Sequence, residues 1–157
     1  MILVTVGSQK FQFNRLLEEI DKLIENGIIK EDVFAQIGVS DYKPKHYEYI
    51  DFMSQDKFNE KLDKCDLLIT HAGTGVIINA IKKGKKVIAI PRLSEYGEHV
   101  DDHQIQLVEE FEESNFIEPC YEIDELKDKI KETKNKKYNK YVSNTDVIIE
   151  SIKEFID

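Results

Sequence analysis

The stretch Leu67-Leu68-Ile69-Thr70-His71-Ala72-Gly73-Thr74-Gly75-Val76-Ile77-Ile78-Asn79-Ala80 has the residue types and spacing of an anion site. Residues 67–70 are apolar or β-branched, which suits a strand covered on both faces. Gly73 and Gly75 permit a sharp turn and keep side chains out of a ligand's way. A helix begins there, so its unpaired N–H groups and positive dipole end point out of the turn. Phosphate is the usual anion at such a place. An ordinary strand-to-helix turn accounts for the same residues, and short glycine motifs match many such turns. The turn is not a P-loop, because no Gly-Lys-Ser/Thr follows at the required spacing. It also lacks the three-glycine dinucleotide fingerprint and its acidic ribose partner.

A second polar group follows: Arg92, Glu95, Glu98, His99, Asp101, Asp102, His103 and Gln104. It comes after a buried strand and falls on the same sheet edge as the glycine turn. Three readings are open. Carboxylate and amide groups there pair well with sugar hydroxyls. His99, Asp101, Asp102 and His103 are all metal-ligand types, but their spacing matches no zinc motif. A solvated loop with a helix cap at Asp101 or Asp102 asks for the least. His71 is either a phosphate contact or a satisfied histidine at a strand end. Neither Ser8 nor Thr74 has a neighbouring base in sequence, so no nucleophilic triad is indicated.

The elements that must position these residues alternate along the chain. Residues 2–6 read as a buried strand that turns at Gly7-Ser8. A helix follows over 13–26, with Asn14 as a plausible cap and Leu16, Leu17, Ile20, Leu23 and Ile24 at helical spacing. Strands are expected at 33–39 and 47–52. A helix over 54–64 has Ser54 as its cap. The strand at 67–70 feeds a helix over 75–83, stopped by Gly84. A strand at 87–90 closes at Pro91. A helix over 101–113 turns Ile105, Leu107, Val108 and Phe111 inward, and a short strand at 116–120 and a charged helix at 123–134 follow. Residues 131–140 carry five lysines against one glutamate, read as a solvated face or as a basic edge for anionic headgroups or an acidic partner. A last helix is expected from Ser143, where Ser143 and Asp146 have capping-box spacing. Its apolar stripe of Ile148, Ile149, Ile152, Phe155 and Ile156 must cover its own sheet or another chain. This alternation predicts an α/β fold, a Rossmann-like doubly wound parallel sheet with ligands beyond the carboxyl ends of its strands.

At 157 residues the chain is read as one domain, residues 1–157, with length enough for a core without staples. It is 41% hydrophobic and 34% charged, as soluble globular proteins are. A net charge of −9 argues against nucleic acid as a partner, since that needs a basic surface. Cys65 and Cys120 sit in apolar-flanked segments and read as buried free thiols of a cytoplasmic chain. No apolar run approaches the ~20 residues of a membrane span. The first residues lack a signal peptide's basic lead. Membrane association is therefore expected only through a surface patch or a partner.

Thr5-Val6-Gly7 with Phe13-Asn14-Arg15-Leu16, His71-Ala72-Gly73-Thr74-Gly75, Pro91-Arg92, and Glu98-His99-Val100-Asp101-Asp102-His103-Gln104 occur in this order. Together they resemble the C-terminal domain of glycosyltransferase family 28, over roughly residues 1–120. The likeness is to small free-standing members of exopolysaccharide and capsule synthesis. Those are similar to the soluble catalytic subunit of the two-subunit N-acetylglucosaminyltransferase acting on dolichol-linked sugar. The resemblance implies a GT-B enzyme, two Rossmann-like domains facing across a cleft. This chain has the length of one, the donor-binding half. A membrane-anchored acceptor-binding subunit is implied for the other, with residues 142–157 as the docking helix. Such a partner recruits the chain from the cytoplasm to the inner face of the membrane.

Carried over by position, the resemblance places Gly73, Thr74 and Gly75 at the diphosphate of a UDP-sugar, with Gly7 and Ser8 on the opposite turn. Phe52 and Met53 fall at the uracil. Asp102, His103 and Gln104 fall where the family's acidic-amide pair contacts donor sugar hydroxyls, and Arg92 and Glu98 are grouped with them as substrate-binding residues. One position departs: the family's ribose-binding glutamate is Asn79 here, and an amide bonds hydroxyls less strongly than a carboxylate. Glu98 is a substitute at that contact.

The implied reaction is inverting hexosyl transfer, such as β-1,4-galactosyl or glucosyl, to a lipid-linked saccharide in exopolysaccharide or capsule biosynthesis. The donor is a UDP-sugar, with no obligatory cofactor and no metal. Leaving UDP is stabilised by backbone N–H groups and the helix dipole. His71 and His99 are the local candidates for a base, which the partner could equally supply. Other expectations are a non-catalytic nucleotide-sugar-binding or assembly module, and a stand-alone regulatory domain. No residue names the sugar.

Overall fold

The computed structural model describes residues 1–7, 10–99 and 101–140. The expected site residue Ser8 and the expected helix over 142–157 lie outside the described residues. Strands β1 (Ile2–Thr5), β2 (Val33–Gln36), β3 (Glu48–Ile50), β4 (Leu67–His71), β5 (Lys86–Ile90) and β6 (Glu118–Pro119) form one sheet. Every pairing is parallel, and the order is β3-β2-β1-β4-β5-β6. Among the described residues four α-helices lie between strands, α1 (Asn14–Glu25), α2 (Gln55–Lys64), α3 (Thr74–Lys82) and α4 (His103–Glu113), and α5 (Leu126–Thr133) follows β6.

The strands are continuously apolar because both faces of the sheet are covered. Ile2 and Val4 of β1 pack with Leu16, Leu17 and Ile20 of α1 and Ile130 of α5. Leu3, on the opposite face, belongs with Phe58 and Leu62 of α2, Ile77 and Ile81 of α3, and Val108 and Phe111 of α4. This is the doubly wound arrangement the alternation predicts. The strand order reverses between β1 and β4, which lie side by side with Thr5 opposite Thr70. Chain ends leaving neighbouring strands to opposite sides open a crevice at such a switch point, beyond the carboxyl ends.

Ser54 caps α2 as expected, its side chain accepting the Lys57 N–H at 3.2 Å. Asn14 does not cap α1. It is the first helical residue, and its Oδ1 instead accepts the Tyr42 N–H at 3.0 Å, tying α1 to the loop after β2. Ile105 is half-buried, because the inward line of α4 runs through Gln104, Leu107, Val108 and Phe111. Strands β2 and β3 are shorter than the expected 33–39 and 47–52, although Ile37 and Gly38 still donate to Ile50 O and Asp51 O past the regular ladder. Cys65 and Cys120 are buried free thiols. At the amino ends of the strands, segments 82–86 and 134–140 together contribute eight lysines to one cleft. Lys86 Nζ joins the two by donating to Thr133 O at 2.5 Å and Lys134 O at 3.3 Å.

Candidate functional site

The carboxyl ends of β1 and β4 carry Gly7 and the turn His71-Ala72-Gly73. Gly7 has φ +73°, a left-handed conformation that favours glycine. The His71 imidazole lies between the two turns. A Cβ on Gly7 would sit 2.5 Å from its Nε2, and a Cβ on Gly73 would sit 2.6 Å from it. Both glycines are therefore required by one ring. Gly75 has a different reason, since a Cβ there would meet nothing within 4 Å. The space before α3 is open at that point. Gly73 is the N-cap of α3 and supplies no side-chain bond, and the first N–H to reach back is that of Ile77, to Gly73 O at 3.0 Å. The N–H groups of Thr74, Gly75 and Val76 are left for a ligand, at the positive end of the helix.

Two cavities flank this helix start. One, of about 490 Å³, is lined by Gly73, Thr74, His99, Asp101, His103 and Gln104 among others. The second, of about 530 Å³, has Gly7, Gly75, Met53 and Asn79 in its wall. The structure thus divides most of the expected residues between two sides of one helix N-terminus. Phe52 is 48% exposed beside Gly38, near the second cavity but outside its lining. Sequence reasoning missed the amides of the second wall: Gln36, Gln55 and Asn59. Asn59 Oδ1 accepts from Asn79 Nδ2 at 2.8 Å, which leaves the Asn79 Oδ1 without a donor among the described residues. That oxygen is an acceptor of the kind a ribose hydroxyl requires.

Arg92 and Glu98 stand apart from the cavities, for both are fully buried. Arg92 Nη1 donates to Phe11 O at 2.9 Å and to Gln12 O and Glu98 O at 3.2 Å, while Nη2 donates to Val6 O. Its Nε has no partner among the described residues. Burial pulls the guanidinium down to about 10, against the pull of Glu98, so it stays charged near neutrality. Glu98 is held by Arg15 and accepts the Leu93 N–H at 3.0 Å. These two side chains build the walls from behind. Asp102 is exposed, and its Oδ1 accepts from Ser94 N–H at 2.8 Å and Ser94 Oγ at 3.0 Å. Those two bonds hold its carboxyl below the usual range. Asp101 bonds the first helical N–H of α4, that of His103, at 2.9 Å.

Gln104, in the first turn of α4, bridges the ends of two strands. Its Oε1 accepts from Arg92 N–H at 2.9 Å and Ala72 N–H at 3.3 Å, and its Nε2 lies 3.4 Å from His71 Nδ1. His71 is 3% exposed. Burial first, then the Arg92 guanidinium and the neighbouring His99, pull its imidazole down to about 3, so it is neutral at physiological pH. His103 Nε2 is buried without a partner among the described residues and belongs to a residue lining the first cavity. His99 Nδ1 lies 3.3 Å from Asp101 Oδ1. Among the described residues, no three His, Cys, Asp or Glu side chains converge as a metal ion requires. No helix among them is long and apolar enough to cross a membrane.

A sequence model of the glycosyltransferase family 28 C-terminal domain matches residues 1–157. The UDP-N-acetylglucosamine transferase subunit ALG13 of Candida albicans (strain SC5314 / ATCC MYA-2876) is 28% identical over 104 residues. That match covers 66% of this chain and 34% of the yeast protein, so the chain spans about a third of that relative's length. An NMR solution structure of ALG13 superposes with a TM-score of 0.62 at 19% identity, over 97% of this chain and 96% of that one. The crystal structure of the glycotransferase of kitacinnamycin does so with a TM-score of 0.63 at 16% identity, over 99% of this chain and 38% of that one. At those identities the two structures speak for the fold. The match over the whole length decides the family: this chain belongs to the glycosyltransferase family 28 C-terminal domain.

Proposed function

We propose that residues 1–157 are the donor-binding half of an inverting UDP-sugar glycosyltransferase, completed by a second, membrane-anchored subunit that binds a lipid-linked saccharide. The observation that carries this reading is the unsatisfied start of α3 at the switch point, with a cavity on each side. The diphosphate rests on the N–H groups of Thr74, Gly75 and Val76, where charge developing on the leaving group meets fixed donors. The cavity with Met53, Asn79 and the neighbouring amides takes uridine, and the cavity with His103 takes the sugar. Arg92 and Glu98 position the loop rather than touch the donor, and Asp102 holds Ser94.

In the reaction, the acceptor hydroxyl gives its proton to a base. Its oxygen bonds to the anomeric carbon from the face opposite UDP. The bond to the β-phosphate oxygen breaks, and UDP departs with the electron pair. The products we favour are the lipid-linked units of exopolysaccharide or capsule, made by hexosyl transfer such as galactosyl or glucosyl. The Candida albicans relative is named for UDP-N-acetylglucosamine, which makes that donor the first competitor to test.

The test has two stages. Calorimetry with UDP and UDP-sugars on the isolated chain is expected to show binding that Gly75→Asp abolishes. Co-expression with a candidate membrane subunit and a donor screen on membrane fractions is then expected to give transfer. No binding with or without that subunit ends the reading. Binding without transfer for every donor favours a non-catalytic binding module.

A further inference from the structure

The proton on His71 has a definite place, and a neighbouring side chain sets it. Gln104 Oε1 faces two backbone donors, Arg92 N–H and Ala72 N–H. Neither donor can turn into an acceptor, so the amide cannot be reversed without setting NH₂ against two N–H groups. Its Nε2 is therefore the end that meets His71 Nδ1 at 3.4 Å. An amide nitrogen only donates, so Nδ1 must offer a bare lone pair. A neutral imidazole with a bare Nδ1 carries its proton on Nε2. That end is wedged between Gly7 and Gly73, and Gly73 is the residue that opens α3.

We propose that Gln104 is a positioning residue: its amide locks His71 as the uncharged Nε2–H tautomer, which makes His71 a hydrogen-bond donor to the diphosphate and removes it as a base for the acceptor. The second half of that statement rests on the donor reading above; the lock itself does not. A base needs an open lone pair, and His71 has one nitrogen already protonated and the other covered by Gln104. The charged and titratable groups acting on the ring are Arg92, at the end of β5, and His99, in the loop before α4, and both disfavour the imidazolium. The donor is accordingly present at every physiological pH. Gln104 also joins the ends of β4 and β5, so one side chain sets both the tautomer and the spacing of the site.

Long-range ¹H–¹⁵N correlation spectra of the full chain without ligand read the tautomer directly. His71 is expected as Nε2–H, unchanged between about pH 8 and pH 5, whereas an unperturbed imidazole titrates there. Gln104→Glu keeps an acceptor for the two backbone N–H groups but sets an acceptor against Nδ1. It is expected to bring a proton to Nδ1 within that range and to weaken UDP about tenfold at pH 7, or about 1.4 kcal/mol. Gln104→Leu removes both roles and serves if the first variant does not fold. A wild-type His71 with its proton on Nδ1, or in mixed tautomers, overturns the lock. So does an unchanged His71 signal in a folded Gln104 variant. A locked tautomer in a chain that binds no UDP leaves the lock standing and overturns only the donor reading.

Discussion

Arg15 of α1 grips both carboxylate oxygens of the fully buried Glu98, Nε to Oε2 at 2.9 Å and Nη2 to Oε1 at 3.1 Å. The pair pins the loop after β5 to a helix more than eighty residues earlier. Glu98→Ala leaves the Leu93 N–H without its acceptor and the Arg15 guanidinium with Pro91 O alone, at 3.2 Å, among the described residues. A loss of about 3 kcal/mol is expected in urea denaturation, because breaking a buried pair strands its partner. Arg15→Lys is expected to recover little of the geometry, since an ammonium cannot grip two oxygens side by side. A loss below about 1 kcal/mol for Glu98→Ala, the range of surface pairs, contradicts this role.

The two glycines of the turn should respond in opposite ways to the same methyl group. Gly73→Ala drives a Cβ to 2.6 Å from His71 Nε2, and about 1–3 kcal/mol of stability should be lost to overpacking. Gly75→Ala meets open space and should hold or gain stability, by up to about 1 kcal/mol of helix propensity. The added methyl group stands before α3, so UDP affinity should fall although the fold does not suffer. Thermal melts and calorimetry on both variants separate the two effects.

His71 makes stability depend on pH. Its ordinary value is 6.5, and in the fold it lies near 3. Below the ordinary value the unfolded chain takes up a proton that the folded chain refuses. Stability should thus fall as pH drops from about 6.5 towards 3, by about 1.4 kcal/mol per unit, with no contribution above that window. Denaturation series at several pH values on the wild type and His71→Gln test this, and the variant should lose that part of the slope.

Asn79 predicts a selective effect on the nucleoside. Asn79→Ala removes an acceptor from the wall shared with Gln55 and Asn59. UDP should bind about fivefold more weakly, a loss of about 1 kcal/mol, while pyrophosphate should be unaffected. An equal loss for both ligands places Asn79 at the phosphates instead.

Most of the fold was legible because local signals agreed. The apolar strands, Ser54 as a cap and Gly84 as a stop each need only neighbouring residues to be read. The glycine turn was legible for the same reason. Arg92 and Glu98 were harder: both sit in a polar segment and read as ligands, yet they are buried. Their partners, Val6 O and Phe11 O for one and Arg15 for the other, are distant in sequence, and only the fold brings them near. Asn14 misled in the same way, since its acceptor goes to Tyr42 across the loop. The amides Gln36, Gln55 and Asn59 carry no signal of their own. They become a wall only when β2, α2 and α3 converge.

The lysine cleft lies at the opposite end of the strands from the pocket, about 16 Å away along the five residues of β5. The lining of the two cavities holds no lysine, so the cleft sets a basic pole away from the mouth. A surface of anionic headgroups should therefore meet the lysine end before the mouth.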